Sequence, residues 1–183
     1  MPLFLGLSTL TQAQTIKFNH LSIKDGLSES TVYSILQDHK GFLWIGTGDG
    51  LNKYDGYRFT VYRHEPQNIH SLSDSEIFAL YEDSNGVLWI GTGNGLNQFD
   101  RKQDKFVRHL PDPQNPNSLS HQVVFSIYED HSNQLWVGTK GGGLNQFDRT
   151  QNHFVRYQHE PNNPSSLNHN MVWPIYQDSA NTL

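Results

Sequence analysis

Any chemistry done by this chain has to come from histidine and carboxylate side chains, since there is no cysteine among its 183 residues. That absence removes thiolate metal sites, a cysteine nucleophile and a disulfide framework together. Ten histidines pose the question of a bound metal. His64-Glu65-Pro66 recurs as His159-Glu160-Pro161, but no His-x-x-x-His pair falls on a helix and no loop gathers a ligand set, so neither a metal nor any other cofactor is expected. General acid–base catalysis asks for carboxylates converging on one bond. The candidates are Asp74 and Glu76, with Glu29 apart from them. Gly46-Thr47-Gly48-Asp49-Gly50 spaces its glycines as a phosphate-binding turn would, yet Leu51 follows and no helix opens there, which leaves a hairpin turn. No catalytic residue is assigned, and the chain reads as a non-enzyme.

Composition narrows the partners. A net charge of −5 and a pI near 6.0 supply no clustered Lys and Arg for phosphate backbones or anionic lipid, so nucleic acid and membrane surfaces are not expected partners. No run reaches the roughly 18 apolar residues of a membrane span. Aromatics at 12% against charged residues at 17% are enough bulky apolar material for a packed core. The opening Met1-Pro2-Leu3-Phe4-Leu5-Gly6-Leu7-Ser8-Thr9-Leu10 is apolar, and Thr11-Gln12-Ala13 offers small residues where a signal peptidase reads. Residues 1–13 therefore read as a signal peptide lacking its basic start, and the protein is expected to be periplasmic or otherwise extracytoplasmic.

The elements that position these residues come from a repeat. Leu43-Trp44-Ile45-Gly46-Thr47 returns as Leu88-Trp89-Ile90-Gly91-Thr92 and Leu135-Trp136-Val137-Gly138-Thr139, with the tryptophans 45 and 47 residues apart. Asp38, Asp83, Asp130 and Asp178 keep the same register. A period of 40–50 residues belongs to propellers or helical solenoids. Short β-rich runs decide between them: Val32 to Gln37, Phe42 to Thr47, Leu51 to Tyr54 and Phe59 to Arg63, each closed by Gly, Asn or Asp turns. Four strands per unit make a propeller blade. The fold class is thus all-β: four-stranded antiparallel meanders in an incomplete propeller, with blades at about 28–64, 73–109 and 120–157, a partial blade at 168–183, and the array running from 16 to 183. Trp44, Trp89 and Trp136 sit mid-strand between apolar neighbours and are expected to fill the space between sheets. The recurring Asp heads a turn, where its carboxylate accepts backbone N–H groups.

These residues resemble the two-component regulator propeller repeat, which carries a turn Asp, a Leu-Trp-Ile-Gly-Thr strand, a Gly-rich turn and a Gly-Leu-Asn-x-Tyr/Phe-Asp strand. Gly50-Leu51-Asn52-Lys53-Tyr54-Asp55, Gly95-Leu96-Asn97-Gln98-Phe99-Asp100 and Gly143-Leu144-Asn145-Gln146-Phe147-Asp148 supply the last element. The resemblance implies the periplasmic sensor of a membrane-spanning receptor that ends in a histidine kinase or a cyclic-dinucleotide synthase. It also implies further blades and signalling domains as partners, and a homodimer in the full-length form. None of the output machinery stands in these residues. The fourth unit starts at Met171 and stops where its second strand is due, so the chain is expected to be a fragment of a longer receptor, or else to close by oligomerising. Its two open sheet edges predict poor solubility alone. Ile16 to Leu21 is expected to be the outer strand that closes the ring in complete relatives.

Strand direction places the Gly-rich turns and the long links between blades on one face. The links run from Arg63 to Glu76, Arg108 to Gln122 and Arg156 to Asn170, and they vary in length over a constant scaffold, as binding loops do. The ligand-binding candidates are Ser73, Asp74, Ser75, Glu76, His121, Gln122, His169 and Asn170. They suit a neutral hydrogen-bonding small molecule or an oligosaccharide, and they equally suit solvated connectors. His and Asn replace the carboxylates in the later blades, which weakens the alternative of a carbohydrate-active enzyme. A protein-binding scaffold or a remnant without function also fits the sequence.

Overall fold

The computed structural model describes residues 17–183, so the signal-like segment at 1–13 lies outside the described residues. Twelve strands follow one another: β1 (Val32–Gln37), β2 (Leu43–Thr47), β3 (Gly50–Tyr54), β4 (Phe59–Tyr62), β5 (Ile77–Glu82), β6 (Leu88–Thr92), β7 (Gly95–Asp100), β8 (Lys105–His109), β9 (Val124–Glu129), β10 (Leu135–Thr139), β11 (Leu144–Asp148) and β12 (His153–Tyr157). Consecutive strands pair antiparallel into three four-stranded sheets, β1 to β4, β5 to β8 and β9 to β12. Each is the expected meander, and the strand limits differ from the sequence reading by a residue at Phe42, Gly50 and Arg63. The β2 to β3 hairpin needs a residue at φ 128°, and Gly50 supplies it.

β1 packs beside β5 and β5 beside β9, so the first strand of every blade is innermost. The core lies in the seams between blades. Trp44 is fully buried and meets Phe99 of the next sheet at 5.3 Å between ring centroids; Trp89 is almost as buried and meets Phe147 at 5.4 Å. Trp136 is half-buried and, among the aromatic rings of the described residues, touches only its own blade's Tyr157. The packing role assigned to these tryptophans therefore holds in full for the first two.

The turn aspartates do more than hold turns. Asp38 takes the N–H groups of Lys40 and Phe42, and its Oδ2 also takes the Trp44 indole N–H at 2.8 Å. Asp83 and Asp130 hold Trp89 and Trp136 in the same way. Arg101, in the β7 to β8 turn of the second blade, then reaches across the seam to Asp38 at 2.7 Å while holding Glu82 of its own blade at 2.6 Å. Arg149 repeats this with Asp83 and Glu129, each at 2.7 Å. Burial pushes the Asp38 and Asp83 carboxyls up, but the indole, the guanidinium and the turn N–H groups outweigh it and hold both below the usual carboxylate range.

Three segments differ from the sequence reading. Met171 to Asp178 starts a blade in sequence but forms no strand, because no second run of backbone pairs with it; Val172 only donates to the Thr139 carbonyl. Its Asp178 still makes the repeat turn, accepting from Ala180 and Thr182. Lys17 to Leu21 is likewise without strand pairing. The one helical feature among the described residues is a 3-10 turn at Ile23–Asp25, closed by a Ser22/Asp25 capping box.

Candidate functional site

The Gly-rich turns and the segments that enter the inner strands do converge on one face. Gly50 donates to the Ser75 carbonyl at 2.7 Å, Gly95 to Gln122 at 2.5 Å and Gly143 to Asn170 at 2.8 Å, so each blade's turn is stitched to the next blade's entry. Within each entry one position recurs as Glu29, Asp74, His121 and His169. All four side chains accept the backbone N–H two residues on, from Thr31, Glu76, Val123 and Met171, at 2.9–3.2 Å. Because Nδ1 of each histidine is the acceptor, the neutral ring carries its proton on Nε2 and presents it as a donor. Glu29 also accepts from Gly48, and hydrogen bonding by Thr31, from its side chain and its backbone, holds the Glu29 carboxyl below the usual range. The four residues form a rim with acceptors on the first two blades and imidazole donors on the next two.

The eight predicted ligand-binding residues divide. Ser73 is buried, with 3% of its surface exposed, and cannot reach a ligand. Its N–H donates to Asn97 Oδ1 at 2.9 Å, and its hydroxyl meets Thr92 Oγ1 at 3.0 Å and Asn97 Nδ2 at 2.8 Å. Ser28 with Asn52 and Thr47, and Ser120 with Asn145 and Thr139, form the same lock. This lock is why Thr and Asn recur in the strands. Ser75 and Asn170 spend their side chains on the N–H groups of His64 and His159. Asp74, Glu76 and His121 are half-buried and Gln122 and His169 exposed, so these five remain accessible. Asp74 and Glu76 both lie beside Gly93, with carboxylate oxygens 3.1 and 3.4 Å from where a Cβ there would stand.

The long links are not free loops. Glu65 donates to the Ser71 hydroxyl, and Arg108 of β8 donates to the Ser71, Asn68 and Leu72 carbonyls at 2.8–2.9 Å. Phe106 of the same strand donates to His70, so the link straps the outer edge of the next sheet; Arg156 and Phe154 repeat this on Asn115 to Leu119. The straps make equivalent bonds despite their different lengths, and each covers an exposed sheet edge. Within the links, the binding potential lies in the short stretch between strap and inner strand.

Two sets of residues escaped the sequence reading. One is the pair of seam arginines, whose trace is the Asp100-Arg101 and Asp148-Arg149 dipeptides. The other is a row of aromatics after the first inner-strand residue, Tyr33, Phe78, Phe125 and Trp173. Among the described residues no set of three or more His, Asp or Glu side chains is arranged to hold a metal, and no helix is long and apolar enough to cross a membrane.

Comparison with known proteins follows the same lines. The profile of the family described as "Two component regulator propeller" matches residues 26–49, 71–94 and 118–141. Histidine kinase P4 of Formosa agariphila is 45% identical over 69 residues, 38% of this chain and 5% of that protein. The extracellular domain of the hybrid two component system BT3049 of B. thetaiotaomicron is 33% identical with a TM-score of 0.77, covering 85% of this chain and 22% of that one. The corresponding domain of BT4673 is 25% identical with a TM-score of 0.67, over 86% and 20%. The chain thus spans 5–22% of the length of these three relatives.

Proposed function

We propose, from the premise that this chain is an array of two-component regulator propeller repeats, that it is the ligand-sensing part of an extracytoplasmic receptor whose output is made by other domains of the parent protein. The observation that carries the reading is the rim. Glu29, Asp74, His121 and His169 are fixed by backbone bonds, Asp74 and the two histidines keep a further polar atom unused by those bonds, and all four stand on segments stitched to one another at the same face. Preorganised hydrogen-bonding groups of both senses suit a neutral polar ligand, a small molecule or an oligosaccharide, in which hydroxyls give and take hydrogen bonds. The similarity to extracellular domains of hybrid two component systems and to a histidine kinase supports an extracytoplasmic setting and a histidine kinase in the parent protein.

The test is ligand response in the full-length receptor with the rim altered. Replacing Asp74, Glu76, His121 and Gln122 with alanine is expected to abolish the response while the purified propeller keeps its melting temperature. Normal response in those variants, together with loss of response on changing the opposite turn Asp83 to Gly86 with folding intact, overturns the face assignment. Turnover of a bound saccharide that is lost in Asp74→Asn and Glu76→Gln would make the protein an enzyme instead.

A further inference from the structure

The aromatic row has a geometry that seam packing does not call for. Tyr33, Phe78 and Phe125 each sit where the inner strand slips a residue against its neighbour: Val32 pairs with Thr47 but Ser34 with Gly46, Ile77 with Thr92 but Ala79 with Gly91, and Val124 with Thr139 but Ser126 with Gly138. A bulge takes the extra residue out of the strand's alternation and re-aims its side chain. Trp173 holds the same place after Val172. The four rings touch in sequence across the two seams and on to the segment that follows the third sheet, with centroids 5.4, 5.2 and 4.2 Å apart. The seam aromatics Trp44, Trp89 and Phe99 are buried. Tyr33 and Trp173 are 47% and 62% exposed, and Phe78 and Phe125 are only half-buried.

The row also abuts the rim. Tyr33 and Glu29 flank one point at Gly48, at 3.7 and 2.9 Å from where a Cβ there would stand. Glu29, Asp74, His121 and His169 precede the four rings by four residues in every blade.

We infer that the four rings form the floor of a binding site on the inner strands, one that takes the apolar C–H face of a ring-shaped polyol. The inference rests on the sensing reading and deepens it by moving the main contact from the links to the channel side. Ring faces and edges stack against C–H groups and give area, while the rim gives direction. The polyol's hydroxyls donate to Glu29 and Asp74 and accept from the Nε2–H groups of His121 and His169. A hydrocarbon or a plain aromatic ligand would fill the floor and leave the rim unused; a purely ionic ligand would do the reverse.

The experiment uses the intact chain and an array of neutral oligosaccharides, with titration of any saccharide it retains, followed by the emission of the exposed Trp173. Phe78→Leu and Phe125→Leu keep apolar volume and are each expected to weaken binding about tenfold or more with melting unchanged. Trp173→Phe is expected to remove the emission change on binding. If no saccharide binds, the neutral-ligand reading fails and this inference with it. If one binds, and its affinity falls in Asp74→Asn but stays within about twofold in both leucine variants, the floor is overturned and the rim reading survives. Unfolding of either leucine variant is judged by the other, and by Tyr33→Leu in the first blade.

Discussion

The seam between the first two sheets and the seam between the second and third are assembled from the same parts and part company at one ring. In the first, Tyr62 of β4 lies on Trp44 at 6.0 Å and against Phe99 and Phe106, and its hydroxyl leaves the cluster to donate to Asp104 at 2.8 Å. In the second, His109 of β8 takes the equivalent place, 5.7 Å from Trp89 and packed on Phe147 and Phe154. Burial and the Asp104 carboxylate raise the Tyr62 phenol well above its ordinary value, so it stays neutral at any working pH. The imidazole is shorter. His109 is buried, its Nε2 finds no partner among the described residues, and burial lowers its pKa to about 4. The clamps differ in the same direction. Arg101 adds a bond from Nε to the Gly86 carbonyl, whereas the Nε of Arg149 is buried without a partner. Equal repeats thus make unequal seams, and the second is the one that acid can open.

The largest effect that sharpens this comparison is loss of the ring common to both. Trp89→Ala and Trp44→Ala each remove a buried indole and strand the Asp beneath it, and are expected to cost about 3–5 kcal/mol. Trp136→Ala, half-buried and with no later sheet over it, is expected to cost less than half as much. Urea unfolding of the three variants measures the order directly. A Trp136 variant as damaging as the other two would mean that the seams, as drawn from Trp44 and Trp89, are not where the stability lies.

Acid comes next. The unfolded imidazole binds its proton near pH 6.5 and the folded one near 4, so between those values the unfolded state holds more protons. The stabilisation is complete above pH 6.5 and is lost as pH falls towards 4. Two and a half pH units correspond to about 3 kcal/mol. His109→Tyr, which copies the first seam, is expected to flatten this slope, because the phenol does not titrate there. The lowered carboxyls of Asp38 and Asp83 add their own slope only as pH nears the ordinary carboxylate range, so a slope that persists in His109→Tyr above about pH 5 would place the sensitivity outside the seam.

Much of this was legible in the sequence, and the parts that were not share a cause. The strands, the turn aspartates and the burial of Trp44 and Trp89 follow from residues close in sequence, where β-rich runs and turn residues alternate. The partner of Arg101 is Asp38, 63 residues earlier, and a periodic sequence does not say which copy of an Asp an Arg will reach. Ser73 looked like a loop residue because serine is a turn former. Its burial depends on Asn97, 24 residues on, whose place in the strand gave no sign of an outside partner. The links looked like binding loops because their lengths vary, while the outer edge they cover is invisible until the sheets are built. The aromatic row was hidden by its bulge: Val32-Tyr33 and Val124-Phe125 read as ordinary strand, and strict alternation would bury one residue of each pair.

The smallest effect tests the same inequality at the other end of the sheets. The serine lock is tight in the second blade, where Ser73 is buried with its hydroxyl 3.0 Å from Thr92, and loose in the third, where Ser120 is half-buried and 3.5 Å from Thr139. The looser copy sits beside the longer turn Lys140-Gly141-Gly142-Gly143, against Gly93-Asn94-Gly95 in the second blade. Replacing Ser73 with alanine leaves the Asn97 amide and the Thr92 hydroxyl short of a partner in a site water does not enter, a loss of about 1–2 kcal/mol. At Ser120 water takes over the vacated bonds, and the same change is expected to cost about 0.5 kcal/mol. Neither serine belongs to the rim, so both variants should respond to ligand as the parent does. Chemical denaturation of the pair decides it. Equal costs would show that the third blade closes its lock as firmly as the second, and would leave the His109 ring and the Arg149 clamp as the whole of the difference between the seams.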